Sequence, residues 1–321
     1  MKKKKIIILG ASGFLGKNIA FNLAKNKNYN VFGTYFTKKI NIQNVKFIRV
    51  DLTKDKQVQK VLKNKDVVIH AAAVTSGSKE VLANPIKFVS DNVVMNSLVC
   101  KYSIINKVKK LILLSCSIVY ASYGSKEILV KENQLKLDNK FYEKYSGFAW
   151  IKIYLEKMSE FYSKFKITNI VVLRHSNVYG PGDKFDLFKS HVLSSLIIKS
   201  RNKKTKSIEI LGKGTEKRDF IYIDDFVNAI KQITNKKLGS YKIYNVGCGK
   251  GVKINELAKL IKKLSNSSKK IFNNLKFKGL NTNISLNSNK IKKEIGWEPK
   301  ITLNEGIVKT LDWYNKTLIN K

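Results

Sequence analysis

The 321-residue chain, 43% hydrophobic, is long enough for a full core and reads as one two-lobed, enzyme-sized unit or two interleaved domains. Its 62 Lys and Arg against 23 Asp and Glu give a net charge of +39, which favours anionic partners. Arg49, Arg174, Arg201 and Arg218 are the only arginines, however, and the scattered lysines read as a solvated surface, which argues against a specific nucleic-acid reader.

Cys100, Cys116 and Cys248 are too far apart for a metal or disulfide framework, so no metal is expected and a reducing compartment is. No segment approaches the length of a membrane span, and the apolar run after Met1-Lys-Lys-Lys-Lys5 is too short for a signal peptide. A cytoplasmic protein with no membrane insertion is expected.

The first element is a buried strand, Ile6-Ile7-Ile8-Leu9, running into Gly10-Ala-Ser-Gly13-Phe-Leu-Gly16 and the amphipathic run Lys17 to Lys25. Strand, glycine turn and helix start make a phosphate site: Gly10 for the turn, Gly13 for backbone approach to a pyrophosphate, Gly16 for close helix packing. Ser12, Phe14 and Leu15 belong to the same loop. A second strand, Asn30 to Thr34, is followed by Lys38 and Lys39 with no carboxylate, which tilts the cofactor from NAD towards NADP. Val45 to Val50 is a third strand. Asp51-Leu52 follows, with Asp51 read both at the adenine edge and as cap of the helix from Lys54.

Asp66 to His70 is the fourth strand, and the small residues Ala71, Ala72 and Ala73 at its end let a dinucleotide lie close. His70 there reads as structural. A long helix after Pro85 carries Asn92, and a fifth strand, Lys110 to Leu114, ends in Ser115-Cys116-Ser117-Ile118-Val119-Tyr120. Alternating strands and helices predict an α/β fold, a Rossmann-type doubly wound parallel sheet. Further on come a strand at Ile170 to Leu173, a helix capped by Asp224, a strand at Tyr241 to Val246, and helices at Ile254 to Leu264, Ile291 to Ile295 and Leu303 to Tyr314. The division expected is an NAD(P)-binding domain over residues 1–175, with returning segments near 220–248, and a smaller, partly interleaved substrate lobe over 176–321.

Gly10-x-x-Gly13-x-x-Gly16, Asp51-Leu52, His70-Ala-Ala-Ala73, Asn92, Ser115 to Tyr120 and Lys152 fall in the order seen in extended short-chain dehydrogenases/reductases, which the chain resembles over essentially its full length. Asn177-Val-Tyr-Gly-Pro181, Arg218 to Asp224, Asn245-Val-Gly247 and Gly296-Trp-Glu-Pro299 look like that family's nucleotide-sugar branch. The resemblance implies cofactor contacts along the glycine loop and from Asp51, Leu52, Ala71, Ala72, Ala73, Asn92 and Lys152. It implies hydride transfer at a carbon of a nucleoside-diphosphate sugar, by a 4-epimerase or a 4-keto reductase. It also implies a homodimer built on the helices at Pro85 and Phe148.

The family's chemistry uses a tyrosine as acid/base, a Ser or Thr hydroxyl on the sugar oxygen, and a lysine four residues after the tyrosine, one turn along the same helix face. Lys152 is present, but the tyrosine position holds Phe148 and the hydroxyl position falls on Cys116, with Ser117 beside it. A phenyl ring cannot carry the proton, so ordinary catalysis is lost, or Phe148 is an introduced change, or another group such as Tyr145 has taken over. The first of these leaves a silent paralogue that binds cofactor and nucleotide sugar. Asn177, Tyr179 and Arg218 resemble positions that face the sugar and its diphosphate, and Ser190-His191-Val192 resembles a stretch of GDP-fucose synthases. That stretch favours reduction, with His191 orienting the sugar. Ser117 and Ile118 stand where the family's 4,6-dehydratases carry an Asp-Glu pair, which argues against dehydration.

Overall fold

Ile6, Ile7, Ile8 and Leu9 are all fully buried, and their alternation assigns them to two different cores. Ile6 and Ile8 face a cluster that includes Ile19 and Ile230, whereas Ile7 and Leu9 face one that includes Val58, Val99 and Leu155. A strand apolar on both sides needs helices on both sides, and this requirement organises the main layer of the fold. The computed structural model describes residues 2–123, 125–137, 141, 143–203, 206–277 and 282–319.

In chain order the strands begin with β1 (Lys4–Leu9), β2 (Tyr29–Tyr35), β3 (Val45–Arg49), β4 (Val67–His70) and β5 (Lys110–Cys116). They continue with β6 (Glu127–Val130), β7 (Asn169–His175), β8 (Asn177–Tyr179), β9 (Ser207–Leu211) and β10 (Lys217–Tyr222). The last are β11 (Tyr241–Val246), β12 (Gly251–Lys253), β13 (Lys270–Asn274) and β14 (Asn283–Leu286). The helices are α1 (Phe14–Leu23), α2 (Asp55–Leu62), α3 (Ser78–Ala83), α4 (Ser90–Ile105), α5 (Glu143–Ser163), α6 (Val192–Arg201), α7 (Ile223–Asn235), α8 (Ile254–Leu264), α9 (Asn289–Ile295) and α10 (Leu303–Tyr314).

The large sheet runs β11-β7-β5-β4-β1-β2-β3, every neighbour parallel. The expected doubly wound sheet is therefore present, and β11 joins it from late in the sequence. β1 sits where the strand order reverses, and an open parallel sheet binds ligands at the carboxyl ends beside that point. A second sheet, β12-β10-β14-β6 with β8 on β10, and the pair β13-β9 are built from the later part of the chain except for β6, which comes from the segment between β5 and α5. Most of these strands have three to six residues, too short for a periodicity signal in the sequence.

Two caps differ from the sequence reading. α2 is preceded by Lys54, and the Asp51 carboxylate instead accepts from the Thr53 amide and hydroxyl at 2.9 and 2.6 Å, so it closes its own turn. α7 starts after Tyr222, which leaves Asp224 inside the first turn, where it complements the helix dipole without capping. The helix expected after Pro85 begins as a 3₁₀ turn, Pro85–Phe88, before α4. Trp297, fully buried, locks the later part of the chain onto α7: its indole N–H donates to the Asp225 carbonyl at 3.0 Å, and the Ile301 amide donates to the Asp225 carboxylate at 2.8 Å.

Candidate active site

The turn after β1 is shaped by close approach. Gly10 has φ +77°, and a Cβ on it would lie 2.6 Å from Ala72 Cα; a Cβ on Gly16 would lie 2.2 Å from the Gly10 carbonyl oxygen. Both positions exclude a side chain. A Cβ on Gly13 would find its nearest protein atom 3.4 Å away, so nothing in the protein itself fills that space. The Gly10 amide is tied to the Thr34 hydroxyl at the end of β2, 3.0 Å. α1 has neither a side-chain cap nor an acid in its first turn, and its first i→i−4 bond is Lys17 to Gly13, so the amides of Phe14, Leu15 and Gly16 precede the hydrogen-bonded ladder. A bare, positively polarised helix end beside an empty glycine position fits a dinucleotide pyrophosphate.

Ser12, Phe14 and Leu15 are half-buried around this turn. Leu52 is instead buried in the α2/α4 core, and Asp51 stays half-buried at the sheet's carboxyl edge, its carboxyl held below the usual range by the Thr53 hydroxyl. Ala71 and Ala72 are half-buried and Ala73 exposed directly beyond β4. Asn92 is buried and spends its amide on the protein: Nδ2 donates to Val74 and Phe88 carbonyls at 2.8 and 2.6 Å, and Oδ1 accepts from the Val74 amide at 3.0 Å. Its place is therefore one layer back, shaping the loop that carries the three alanines. His70 is structural in the same sense, with Nε2 3.0 Å from Asn96 Oδ1.

At the carboxyl end of β5 the expected catalytic residues converge in part. Lys152 Nζ, on α5, donates to the Leu114 carbonyl at 2.7 Å, two residues from Cys116, and burial lowers its ammonium's pKa. Burial likewise pushes the Cys116 thiol up, against the pull of nearby Lys152. Ser117 follows in a 3₁₀ turn and is half-buried. Phe148 lies one helical turn before Lys152, and its ring rests on Phe88 with centroids 5.4 Å apart. Tyr145 lies on α5, but its side chain is outside the described residues.

Behind this edge is a network that the sequence did not disclose. Arg174 on β7 and Glu156 on α5 form an ion pair at 2.6 Å, each 2% exposed; Glu156 also accepts from Ser115 Oγ at 2.6 Å, and Arg174 donates to Tyr120 Oη at 2.6 Å. Ser115 and Tyr120 lie in the run at the end of β5 that the sequence offers, but Glu156 and Arg174 stand in no such motif, because they come from α5 and β7.

On the other side of the crevice Asn177 Nδ2 donates to the Asp219 carbonyl at 2.9 Å, between β8 and β10. Tyr179 corrects the sequence reading: only 2% exposed, it stacks edge-on with Phe220 and Tyr222, and its hydroxyl meets the Leu303 carbonyl at 3.3 Å. It is a core residue, because the three-residue strand β8 turns position 179 towards α10. Arg218, half-buried on β10, donates through Nη1 to the Lys217 and Thr282 carbonyls at 2.8 and 2.5 Å. His191 immediately precedes α6 and is exposed, near Asp183, whose carboxylate accepts from Ser194 Oγ at 2.5 Å. The loop after β4 is tied to this region, since the Gly77 amide donates to Lys189 O at 2.8 Å and Lys184 Nζ to Thr75 O at 2.6 Å.

Two polar groups at the edges were also not anticipated. Arg49 Nε donates to the Phe36 carbonyl at 3.2 Å, which sets a guanidinium beside the exposed Lys38 and Lys39 after β2. His175, at the end of β7, pairs in register with Cys116. Among the described residues, no three His, Cys, Asp or Glu side chains gather as a metal site, and no helix is long and apolar enough to cross a membrane.

Comparison with known proteins agrees with this geometry. A family model described as the NAD dependent epimerase/dehydratase family matches residues 6–247. A GDP-L-colitose synthase of Yersinia pseudotuberculosis is 29% identical, covering 97% of both chains. A GDP-L-fucose synthase of Sinorhizobium fredii is 33% identical, covering 82% of this chain and 84% of its own. Among solved structures, the UDP-glucose 4-epimerase of Thermotoga maritima with UDP-glucose is similar with a TM-score of 0.83 and 26% identity, over 98% of this chain and 99% of that one.

Proposed function

This chain belongs to the NAD dependent epimerase/dehydratase family, and we propose that it binds NADP or NAD together with a nucleoside-diphosphate sugar and acts at C4 of the sugar, as a 4-keto reductase or a 4-epimerase. The observation that carries this reading is the alignment of the open α1 N-terminus, Cys116 and Lys152 along the carboxyl edge of one parallel sheet. When bound, the nicotinamide cofactor supplies or accepts the hydride at a sugar carbon. Gly10, Gly13 and Gly16 leave room for the pyrophosphate, and the amides of Phe14 to Gly16 donate to it. Lys152 holds the nicotinamide ribose, and Cys116 with Ser117 hydrogen-bonds the sugar oxygen, the thiol more weakly than a hydroxyl.

The finer assignments rest on specific contacts. The NADP reading over NAD is supported by the cations Arg49, Lys38 and Lys39 near the end of β2 and by the lack of a carboxylate there. Reduction of a 4-keto sugar is favoured by the GDP-sugar synthases among the similar proteins. Asn177, His191 and Arg218 are assigned to the sugar and its diphosphate. Trp150, Tyr154 and Phe161, exposed along α5, with Phe165 exposed just beyond its end, support a homodimer through that helix, which light scattering after gel filtration tests. The reducing cytoplasm suits its free thiols.

Phe148 favours a second reading, a binding-competent but silent paralogue, because its ring is fixed against Phe88 where the acid would stand. The discriminating experiment incubates the chain and its Phe148→Tyr variant with NAD(P)(H), GDP- and UDP-sugars and their 4-keto forms, with products followed by NMR. Turnover by the chain itself removes the silent reading. Turnover by the variant alone supports it.

A further inference from the structure

Lys152 is the centre of a small set of titratable groups. His70, Cys116, Glu156 and His175 are all close enough to interact with it electrostatically. Glu156 is committed to Arg174 and Ser115. His70 is enclosed in the core with its Nε2 on Asn96. Cys116 occupies the hydroxyl position at the sugar oxygen. His175 remains, with no task yet assigned.

The sheet decides where His175 points. β5 and β7 pair Leu114 with Leu173 and Cys116 with His175. Ile112 and Leu114, Val171 and Leu173 all belong to the core on the α1/α7 side, so strand alternation puts Cys116 and His175 on that same face, at the carboxyl edge. The edge-on contact between His175 and Phe226 of α7, centroids 5.2 Å apart, agrees. Ser115 and Arg174 point the other way, to Glu156. His175 Nδ1 is 2.7 Å from the Ser176 carbonyl, which assigns the ring proton to Nδ1 and leaves the Nε2 lone pair available.

We propose that His175 is the proton-transfer group of this site in place of the missing tyrosine, its Nε2 exchanging a proton with the sugar oxygen held against Cys116. This rests on the nucleotide-sugar reading above. In the oxidising direction the sugar O–H bond breaks and its proton goes to Nε2. The electron pair left on oxygen forms the carbonyl as the C–H hydride leaves to the oxidised nicotinamide. Reduction runs the same bonds in reverse, with the imidazolium returning the proton. Burial, with the charges of Lys152 from α5 and His191 at the start of α6, lowers the His175 pKa to about 4, and Cys116 from β5 faces it unionised. The ring is therefore neutral and ready to accept a proton at pH 7.

The chain has three histidines, so each ring signal can be assigned by a single substitution. Imidazole NMR titrations of the whole protein, with and without NADP and a nucleotide sugar, run beside binding and turnover of the chain, His175→Gln, His175→Asn and His175→Gln/Phe148→Tyr, with melting curves to verify folding. The His175 signal moves when sugar and cofactor are added, and the His70 signal does not. His175→Gln binds both ligands but loses turnover by about 100-fold together with the acidic limb of the pH profile, and the added Phe148→Tyr restores it. Three results overturn the proposal: a His175 signal blind to bound ligands, a glutamine variant that keeps its turnover and acidic limb, or a chain that binds both ligands without turning over any sugar. Failure of the chain to bind cofactor or nucleotide sugar instead brings down the functional reading itself.

Discussion

Arg174 and Glu156 meet side-on in the interior, Nε to Oε1 at 3.0 Å and Nη2 to Oε2 at 2.6 Å. The pair ties α5 to β7, and through Ser115 and Tyr120 it holds both sides of Cys116. Removing one charge strands the other, so Glu156→Gln is expected to cost about 3–5 kcal/mol in urea unfolding. Glu156 is one turn from Lys152, so a folded remnant of this variant shows reduced kcat. A loss below about 1 kcal/mol contradicts the view that this pair organises the site.

Gly13 and Gly16 separate packing from binding. Gly13→Ala meets only the Gly10 carbonyl oxygen, at 3.4 Å, so stability changes by a few tenths of a kcal/mol while NADP affinity falls at least about tenfold in calorimetry. Gly16→Ala forces a contact of 2.2 Å and loses stability and affinity together. Equal behaviour of the two variants removes the assignment of Gly13 to a pyrophosphate.

The main sheet was legible because its strands are runs such as Ile6 to Leu9, apolar on both faces and closed by glycine. The second sheet was not, since strands such as Gly251–Lys253 are too short to show a pattern, and Arg218-Asp-Phe-Ile-Tyr read as a motif before it read as a strand. Within the site, Lys152 and Cys116 were visible only through the resemblance to extended short-chain dehydrogenases/reductases, whose motif positions they occupy. Asn92 was legible as important but not as a brace, because its partners Val74 and Phe88 flank the short helix α3. His175 and Arg174 were hidden for another reason: two adjacent strand residues point to opposite sheet faces, and only the register of β5 and β7 gives each its partner.

Tyr179 tests the correction at the sugar side. Its hydroxyl bond to Leu303 is long, 3.3 Å, and Tyr179→Phe is expected to cost about 1 kcal/mol in stability with KM for the nucleotide sugar unchanged. A rise in KM of tenfold or more without loss of stability would return Tyr179 to the substrate. Arg218→Lys, by contrast, is expected to raise that KM under the proposed assignment of Arg218 to the diphosphate, because an ammonium does not reproduce a planar fork.

His70 makes stability depend on pH with a definite sign. Its ring is 2% exposed with Nδ1 unsatisfied, and burial foremost, then Lys152, lowers its pKa from 6.5 to about 4, against the opposing bond to Asn96. Between those values the unfolded chain holds a proton that the folded chain does not, so unfolding gains ground as pH falls. The contribution is complete above pH 6.5 and lost progressively towards pH 4, roughly 3 kcal/mol in all. Denaturant melts of the chain and of His70→Gln over this range provide the check. The variant, whose side chain does not titrate there, starts less stable at pH 7 and shows a flatter decline. Parallel curves would mean that His70 titrates alike in the folded and unfolded chains, and the acid sensitivity would then belong to other groups.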